Sequence, residues 1–336
     1  MLVVVNISCE HEMWALPPQH LAGLKERFSG VSFHWNREQR GFHLEASRAE
    51  VIWGWRLTPE LLSLAQDLKW FHTCAAGVAS SLTPQFRRSG VILTNSAGVG
   101  APALAEHALG MLLTLTRGLR LLASSQLERH WCQPEAWAQY REMRELGQMT
   151  VGFAGFGAVA QRLARAVHAL GARVLACRRS GREDPPAERT FTGDGISGML
   201  PLCDVVVNTL PETPETTGFF CEARLRQMKE GAVFVNIGRG CTVDEPALIR
   251  ALGWDERAGE WRLPGWLGGA VLDVFAEEPL PPDSPLWRAE HVLISPHIAA
   301  VSPHFWERET ALFGENLRRY LAGEPLLNVV DPARGY

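Results

Sequence analysis

The chain has 336 residues, of which 46% are hydrophobic and 21% are charged, and its formal net charge is −4 at pH 7. This length predicts about two domains, because a domain usually spans roughly 100 to 200 residues. The charge balance argues against nucleic-acid binding, which needs a basic excess. The 7 cysteines are scattered singly, with no CxxC pair and no cluster with histidine, so the sequence indicates neither a metal site nor a disulfide framework.

The apolar segments lack the properties of targeting or membrane-spanning sequences. The N-terminal stretch "MLVVVNISCE" is too short for a signal-peptide core and has no basic start. The most apolar later segment, "APALAEHALGMLLTLTR", is interrupted by Glu106 and His107. We therefore expect a soluble, cytoplasmic protein with reduced thiols and no membrane partner.

The first part of the chain alternates short β-branched runs with helical stretches, a pattern typical of parallel α/β architecture. The predicted strands are "LVVVNI", "VSFHW", "EVIWG", "KWFHT" and "VIL", and the predicted helices include "PPQHLAGLKERF" and "TPELLSLAQ". A long helical region follows at about residues 101 to 145. These elements predict one α/β domain followed by long helices.

A second series begins at Thr150 and predicts another doubly wound sheet. Its strands are "TVGFAG", "ARVLAC", "CDVVVNTL", "AVFVNI", "GGAVLDVF" and "HVLISPH". The segment "GWDERAGEWRLPGW" is interpreted as a surface excursion of unknown role. In the last segment, Leu312, Leu317 and Leu321 have helical spacing and are expected to pack on the first domain. The predicted domains are therefore 1–98 plus 303–336 and 99–302, with a cleft between them.

A glycine-rich turn stands between the first strand of the second series and its helix. The stretch "VGFAGFGAVAQRLARAVHALGARV" contains Gly155-x-Gly157-x-x-Ala160 and a helix that ends at Gly171. Gly155 permits a tight turn, Gly157 lets the backbone approach a pyrophosphate, and Ala160 lets the helix pack closely on the strand. Because the helix N-terminus then faces the ligand, the sequence predicts a dinucleotide site. The alternative is a glycine-rich turn without a ligand.

The next strand, in "GARVLACRRSGR", is followed by arginines instead of the acidic residue that binds the ribose 2′-hydroxyl of NAD. A carboxylate would repel a 2′-phosphate, whereas Arg178, Arg179 and Ser180 are able to donate hydrogen bonds to it, and those from the arginines are charge-assisted. The sequence therefore predicts NADP as the cofactor. The alternative is that these arginines form a solvated loop and that NAD is accepted as well.

Three later strands are followed by polar side chains. They are Arg239 in "NIGRG", Asp273 and Glu278 in "LDVFAEEP", and His297 in "ISPHIAA". Ligands of open α/β sheets lie beyond the carboxyl ends of the strands, so we expect these groups in one site.

With these motifs the chain resembles the D-isomer-specific 2-hydroxyacid dehydrogenases over nearly its whole length, nearest to the glyoxylate and hydroxypyruvate reductase branch. The resemblance implies that Arg239 binds the carboxylate and carbonyl of the substrate, that His297 is the general acid/base, and that Glu278 pairs with it. Reduction of a 2-keto acid leaves charge growing on the carbonyl oxygen, so a proton donor and a fixed positive charge both lower the barrier. Glu278 would favour the imidazolium form of His297 and fix its tautomer.

The resemblance also implies a Rossmann cofactor domain, a flavodoxin-like substrate domain and further contacts. Ala76, Gly77 and Val78 match the loop whose backbone N–H groups bind the substrate carboxylate. Apart from the resemblance, Trp55 and Arg56 are candidate substrate contacts because they lie on the loop after a predicted strand of the first domain; the alternative is that the tryptophan belongs to the core or to an interface. The helices after "TNSAGVGAPALAEHALG" form a dimer interface in the family, so we expect a homodimer. The residues expected to bind the cofactor are Gly155, Phe156, Gly157, Ala158, Val159, Arg178, Arg179, Ser180, Leu210, Pro211, Thr217, Ile237, Gly238 and Asp273, the last through the nicotinamide amide.

Two other functions stay open at the level of sequence. One is a relative on the same scaffold that acts on formate, phosphite or a larger keto or sugar acid, although formate-type members depart at the glutamate that this chain keeps as Glu278. The other is an NAD(P)-sensing interaction protein, since transcriptional corepressors share this fold and the same three catalytic groups. Oxidation of NADPH with glyoxylate, hydroxypyruvate or phenylpyruvate distinguishes an enzyme from a sensor.

Overall fold

The structure is a computed structural model that describes residues 1–7, 9–35 and 45–336. These residues divide into two units, Met1–Gly100 with Val301–Tyr336, and Ala101–Ala300. Among the helices described, none is both long and apolar enough to cross a membrane.

The first unit is built on a parallel sheet of five strands. They are β1 (Leu2–Asn6), β2 (Ser32–Trp35), β3 (Val51–Gly54), β4 (Trp70–Thr73) and β5 (Ile92–Asn95). The order across the sheet is β2-β1-β3-β4-β5, which is the flavodoxin-like order and confirms the predicted fold of this part of the chain. The described helices of this unit include Pro18–Arg27, Pro59–Leu64, Pro84–Ser89 and Phe305–Ala322.

The C-terminal helix, Phe305–Ala322, packs on this sheet through part of its predicted apolar face. Phe313 stacks on Trp53 with ring centroids 4.2 Å apart, and Leu317 is fully buried in the same cluster. Leu321, however, is 51% exposed, so the prediction that it packs is wrong. Tyr320 takes the place beside the sheet instead, where its ring stacks on Trp70 at 5.4 Å.

The second unit contains a parallel sheet of seven strands. They are β6 (Thr150–Ala154), β7 (Arg173–Cys177), β8 (Arg189–Phe191), β9 (Val205–Asn208), β10 (Val233–Asn236), β13 (Gly269–Leu272) and β14 (Val292–Ile294). Their order is β14-β13-β10-β9-β6-β7-β8. Counted from β6, the first six strands have the Rossmann order, so the second predicted fold is also confirmed.

Two features of this unit differ from the sequence interpretation. The surface excursion contains a small antiparallel hairpin, β11 (Trp254–Asp255) with β12 (Glu260–Trp261). The long helical region is divided at Gly118, which adopts a left-handed conformation with φ of 64°. The helices of the unit are Ala101–Thr116, Leu119–Leu127, Gln133–Ala138, Ala158–Ala169, Ile196–Met199, Glu222–Gln227 and Glu245–Ala251.

Candidate active site

The glycine-rich turn joins β6 to the helix Ala158–Ala169. Gly155 has φ of 84°, and a Cβ atom there would lie 2.8 Å from Thr209 Oγ1. Gly157 is the residue before the helix, and a Cβ atom there would meet nothing within 4 Å. The turn is therefore tight at Gly155 and open at the helix N-terminus, where backbone N–H groups favour an anion. This geometry fits the pyrophosphate of a dinucleotide.

Not every side chain of this turn is free to contact a ligand. Phe156 is buried and packs against Phe153, with ring centroids 5.8 Å apart. Ala160 is fully buried in the same cluster, as expected of a residue that lets the helix approach the strand. Phe156 thus offers only its backbone to a cofactor.

The arginine loop begins directly after β7. The Arg178 N–H donates to the carbonyl of Phe191 (3.0 Å), and its guanidinium forms an ion pair with Asp184. Arg182 pairs with the same carboxylate, with Nη2 and Oδ1 3.0 Å apart. Arg178, one of the two arginines predicted to bind a 2′-phosphate, thus has an anionic neighbour that the sequence interpretation did not include.

The loop after β9 is close to the arginine loop. The pKa of Glu215 in this loop is lowered by a backbone hydrogen bond, by a hydrogen bond from Thr213 and by the charge of Arg179. The Thr217 hydroxyl donates to the carbonyl of Thr213 (3.0 Å), which keeps it within its own loop. The positive charge of Arg179 therefore lies close enough to act on Glu215, in the same loop as Thr217.

The turn after β10 approaches the same loop and carries the other predicted cofactor contacts. A Cβ atom at Gly238 would lie 3.0 Å from the carbonyl oxygen of Leu210, so the two backbones are in close contact. The N–H of Ile237 donates to the carbonyl of Asn208 (3.3 Å), and its side chain is buried. Leu210, Ile237 and Gly238 thus lie together, next to Pro211 in sequence.

Arg239 lies in the turn after β10, and hydrogen bonds stabilise this turn before and after it. Asn236 Oδ1 accepts from the N–H of Gly238 (3.2 Å), and the Thr242 hydroxyl donates to the Arg239 carbonyl (2.6 Å). The guanidinium donates through Nη1 to the carbonyl of Gly238 (2.7 Å). Within the described ranges it has no carboxylate partner, so its charge is available to an anionic ligand.

Gly240 brings this turn against the loop that carries Glu278. A Cβ atom at Gly240 would lie only 1.7 Å from the carbonyl oxygen of Phe275, so only glycine allows this approach. The N–H of Phe275 in turn donates to Glu278 Oε1 (3.0 Å). Because β10, β13 and β14 are neighbours in the sheet, the predicted catalytic groups all follow adjacent strand ends.

His297 and Glu278 are in direct contact. The distance from His297 Nδ1 to Glu278 Oε2 is 2.7 Å, and the two side chains are 51% and 35% exposed. His297 has φ of 54°, which is uncommon for a residue other than glycine and is typical of sites with functional constraints. Because Nδ1 is hydrogen-bonded to Glu278, Nε2 is the ring nitrogen available to a substrate.

Asp273 shapes the loop that carries His297. Its side chain is buried, and it accepts hydrogen bonds from the Ser295 hydroxyl (2.6 Å), the Ile298 N–H (3.0 Å) and the Ala299 N–H (3.2 Å). The N–H of His297 donates to the Asp273 carbonyl (2.9 Å). A carboxylate accepts about four hydrogen bonds, so these contacts leave room for one further donor.

His107 is a neighbour of this site that the sequence interpretation did not assign to it. Its Nε2 lies 2.8 Å from Ser295 Oγ and 3.8 Å from Asp273 Oδ1. The one signal in the sequence was that Glu106 and His107 interrupt an otherwise apolar segment. His107 therefore connects the helix Ala101–Thr116 to the His297 loop.

In the first unit, side chains at the carboxyl end of β5 hold the end of β4 and the loop that follows it. Asn95 Nδ2 donates to the Ala76 carbonyl (2.8 Å), and the Ser96 hydroxyl donates to the Thr73 carbonyl (2.7 Å). In the described part of the chain, the N–H groups of Ala76, Gly77 and Val78 have no acceptor. Consecutive N–H groups of this kind are suited to binding a carboxylate.

Trp55 belongs to an aromatic cluster beyond the ends of the first-unit strands. Its Nε1 donates to the Trp14 carbonyl (3.2 Å), and its ring centroid lies 5.6 Å from that of Trp14 and 5.9 Å from that of Trp306. Phe305 stacks on Trp55 at 6.2 Å. Trp55 is half-buried, whereas the adjacent Arg56 is exposed.

The chain is similar in sequence and in fold to known proteins. Residues 109–299 match the model of the D-isomer specific 2-hydroxyacid dehydrogenase, NAD binding domain. A glyoxylate reductase of Thermofilum pendens is 32% identical over 275 residues, which cover 80% of this chain and 76% of the relative.

Two solved structures are similar over nearly the whole chain. A D-isomer specific 2-hydroxyacid dehydrogenase from Xanthobacter autotrophicus Py2, in complex with NADPH and MES, has a TM-score of 0.78 and 29% identity, covering 100% of this chain and 99% of that one. An NADPH-dependent glyoxylate/hydroxypyruvate reductase from Sinorhizobium meliloti, in complex with NADP and sulfate, has a TM-score of 0.76 and 27% identity, with coverage of 100% and 99%. The chain therefore belongs to the D-isomer-specific 2-hydroxyacid dehydrogenase family and is an NAD(P)-dependent oxidoreductase of that family.

Proposed function

We propose that this enzyme reduces a small 2-keto acid, of the glyoxylate or hydroxypyruvate type, to the D-2-hydroxy acid with NADPH. The observation that carries the proposal is the 2.7 Å contact between His297 Nδ1 and Glu278 Oε2. These residues follow strands that neighbour β10, and Arg239 after β10 has no carboxylate partner among the residues described. The names of the glyoxylate reductase of Thermofilum pendens and of the glyoxylate/hydroxypyruvate reductase of Sinorhizobium meliloti support this substrate class.

Each group has a defined task in this reaction. NADPH, when bound, supplies the hydride that reduces the carbonyl carbon. His297 donates a proton through Nε2 to the carbonyl oxygen, and Glu278 holds the imidazole in the tautomer and orientation that this requires. Arg239 binds the carboxylate and stabilises the charge that grows on the carbonyl oxygen. The N–H groups of Ala76, Gly77 and Val78 bind the substrate carboxylate, so the first unit is the substrate domain and the second the cofactor domain.

A panel of 2-keto acids with both reduced cofactors tests this function. We expect NADPH oxidation with glyoxylate or hydroxypyruvate, and the kcat/KM values rank the substrates. A lack of turnover with every 2-keto acid, including phenylpyruvate, would instead favour a nucleotide-sensing protein.

Arg178→Asp is expected to move the cofactor preference from NADPH toward NADH. A charge-assisted hydrogen bond contributes about 1.5 to 3 kcal/mol, so NADPH affinity should fall about tenfold to a hundredfold. The new carboxylate repels a 2′-phosphate but accepts a hydrogen bond from a free 2′-hydroxyl. Titration with both reduced cofactors by fluorescence quenching, at one ionic strength, measures the change.

Arg226→Asp is the matched control, because it makes the same charge change at an exposed helical position. We expect it to leave both affinities nearly unchanged. Equal losses of NADPH and NADH affinity in Arg178→Asp would show that Arg178 does not bind the 2′-phosphate.

Trp55→Ala is expected to change substrate choice and not cofactor binding. The half-buried indole lies in an aromatic cluster of the unit that carries the Ala76–Val78 loop, so its loss should raise KM for the larger keto acids about tenfold. Trp55→Phe keeps an aromatic ring and should have a smaller effect. If NADPH affinity changes and every KM value stays the same, Trp55 is not a substrate contact.

We also propose a homodimer that forms through the region after residue 118 of the second unit. Several large apolar side chains are exposed there, and exposed apolar groups in one region are typical of an interface. They are Leu119, Leu122, Leu127, Trp131, Trp137 and Tyr140. Light scattering of the purified protein measures the molar mass in solution, which should be that of two chains.

A further inference from the structure

The loop after β7 carries its own anion between its arginines. Asp184 forms ion pairs with Arg178 and Arg182, the second with a distance of 3.0 Å between Nη2 and Oδ1. The side chains of Asp184 and Arg178 are 16% and 22% exposed, so their ion pair is shielded from solvent more than most surface pairs are. Arg182 is 73% exposed and covers the outside of the same carboxylate.

The local backbone brings Asp184 back to Arg178. The Arg178 N–H is bonded to the Phe191 carbonyl (3.0 Å), which fixes the start of the loop. Gly181 adopts φ of 62°, and its N–H donates to the Arg178 carbonyl (3.4 Å), so the chain reverses there. The Ala187 N–H then donates to the Asp184 carbonyl (3.1 Å). The ion pair is therefore part of a hydrogen-bonded loop.

We propose that Asp184 competes with the 2′-phosphate of NADP for Arg178 and so limits the preference of this enzyme for NADPH over NADH. The proposal rests on the proposed function in one respect, the binding of the 2′-phosphate by Arg178. Asp184 occupies one end of the guanidinium and reduces the summed charge of Arg178, Arg182 and Asp184 to +1, whereas the two arginines alone carry +2.

The competition acts on one cofactor only. A phosphate monoester carries a charge of about −1.5 to −2 at pH 7, so a neighbouring carboxylate repels it. The 2′-hydroxyl of NADH carries no charge, and the same carboxylate hardly affects it. Asp184 therefore lowers the ratio of NADPH affinity to NADH affinity, while the arginines raise it.

Asp184→Asn tests the competition, because the amide keeps the size and one oxygen acceptor but removes the negative charge. We expect NADPH to bind roughly three- to thirtyfold more tightly and NADH affinity to change less than about twofold. The gain should shrink as salt is added, since it is electrostatic. Fluorescence quenching measures both affinities, and thermal unfolding shows that the variant is folded.

Two controls locate the effect. Glu183→Gln removes a negative charge from the adjacent exposed residue, which has no ion pair among the residues described, and should change NADPH affinity less than about twofold. In an Arg178→Ala background, Asp184→Asn should raise NADPH affinity less than it does in the wild type. The guanidinium for which Asp184 and the 2′-phosphate compete is then absent.

Unchanged NADPH affinity in Asp184→Asn overturns the proposal, and weaker binding overturns it by showing that Asp184 positions Arg178 instead. If instead Arg178 does not bind the 2′-phosphate, Arg178→Asp lowers the affinities for NADPH and NADH equally. If the wild type binds both cofactors equally, Asp184→Asn still tests the competition. A gain in affinity for NADPH alone supports the proposal, and the absence of such a gain contradicts it.

Discussion

Replacing His297 by alanine is expected to lower kcat/KM for the preferred 2-keto acid at least about a hundredfold. The variant loses the proton donor, and Glu278 loses the imidazole that it holds at 2.7 Å. NADPH affinity should hardly change, because the glycine-rich turn and the arginine loop remain. Steady-state kinetics and cofactor titration measure these quantities separately.

His304→Ala is a matched control for this variant. His304, the residue before the C-terminal helix, also pairs with a glutamate, Glu307, at 3.1 Å, but both side chains are largely exposed. We expect its kcat/KM to stay within about twofold of the wild type, since exposed ion pairs contribute little. The comparison separates loss of a general acid from loss of an ordinary histidine–glutamate pair.

Arg239→Ala is expected to cost at least about a hundredfold as well, but with a different distribution between kcat and KM. The guanidinium is proposed to bind the substrate before reaction and to stabilise the transition state, so KM should rise while kcat falls. His297→Ala should act mainly on kcat. Near-normal rates in either variant would contradict the assignment of the site.

The architecture was predictable because it follows from local patterns. Short β-branched runs separated by helices predict parallel strands, and the carboxyl ends of parallel strands meet at one edge of a sheet. Glu278 and His297 follow β13 and β14, which pair directly, so strand order brings their loops to the same edge of the sheet. That the two side chains pair with each other was implied by the family resemblance. The open backbone at Gly157 likewise follows from its place in the glycine pattern.

Contacts that depend on the path of a loop were not predictable. The ion pair of Arg178 with Asp184 requires the reversal at Gly181, and no periodicity in the sequence indicates which carboxylate returns to the arginine. The same holds for Asp273, whose carboxylate is bonded to the loop after β14. Strand β8, of only three residues, is too short for its pattern to distinguish it from a turn.

The buried pair of Glu309 and His72 was also beyond the sequence, because these residues are far apart in the chain. Glu309 lies on the C-terminal helix and His72 on β4, and both side chains are fully buried with Oε1 and Nε2 3.2 Å apart. Trp53 Nε1 donates to the same oxygen (3.0 Å), and Thr94 Oγ1 lies 2.6 Å from His72 Nδ1. This network joins the C-terminal helix to β3, β4 and β5, just before the loop that carries Ala76.

Glu309→Gln is expected to lower the free energy of unfolding by about 3 kcal/mol at pH 7, near the lower end of the range for removing one partner of a buried pair. Burial raises the pKa of Glu309, but the charge of His72 and the hydrogen bonds that the carboxylate accepts outweigh this and hold the pKa below its usual value. The charged carboxylate therefore stabilises the folded state above the ordinary glutamate pKa of about 4.3. The stabilisation is lost as pH falls through the lowered pKa of the folded state.

The difference between wild type and Glu309→Gln should consequently be largest near neutral pH and decrease in acid, as measured by denaturant unfolding at pH 7 and at about pH 3. Glu315→Gln, on the same helix, is the matched control. Hydrogen bonds from Arg318 and Arg319 lower the pKa of Glu315 to about 2, yet this carboxylate is near the surface, where solvent screens its ion pairs. We expect Glu315→Gln to change stability little at either pH. An equal effect of the two substitutions would show that Glu309 stabilises the first unit no more than a surface ion pair does, and that packing alone holds the C-terminal helix on β3 and β4.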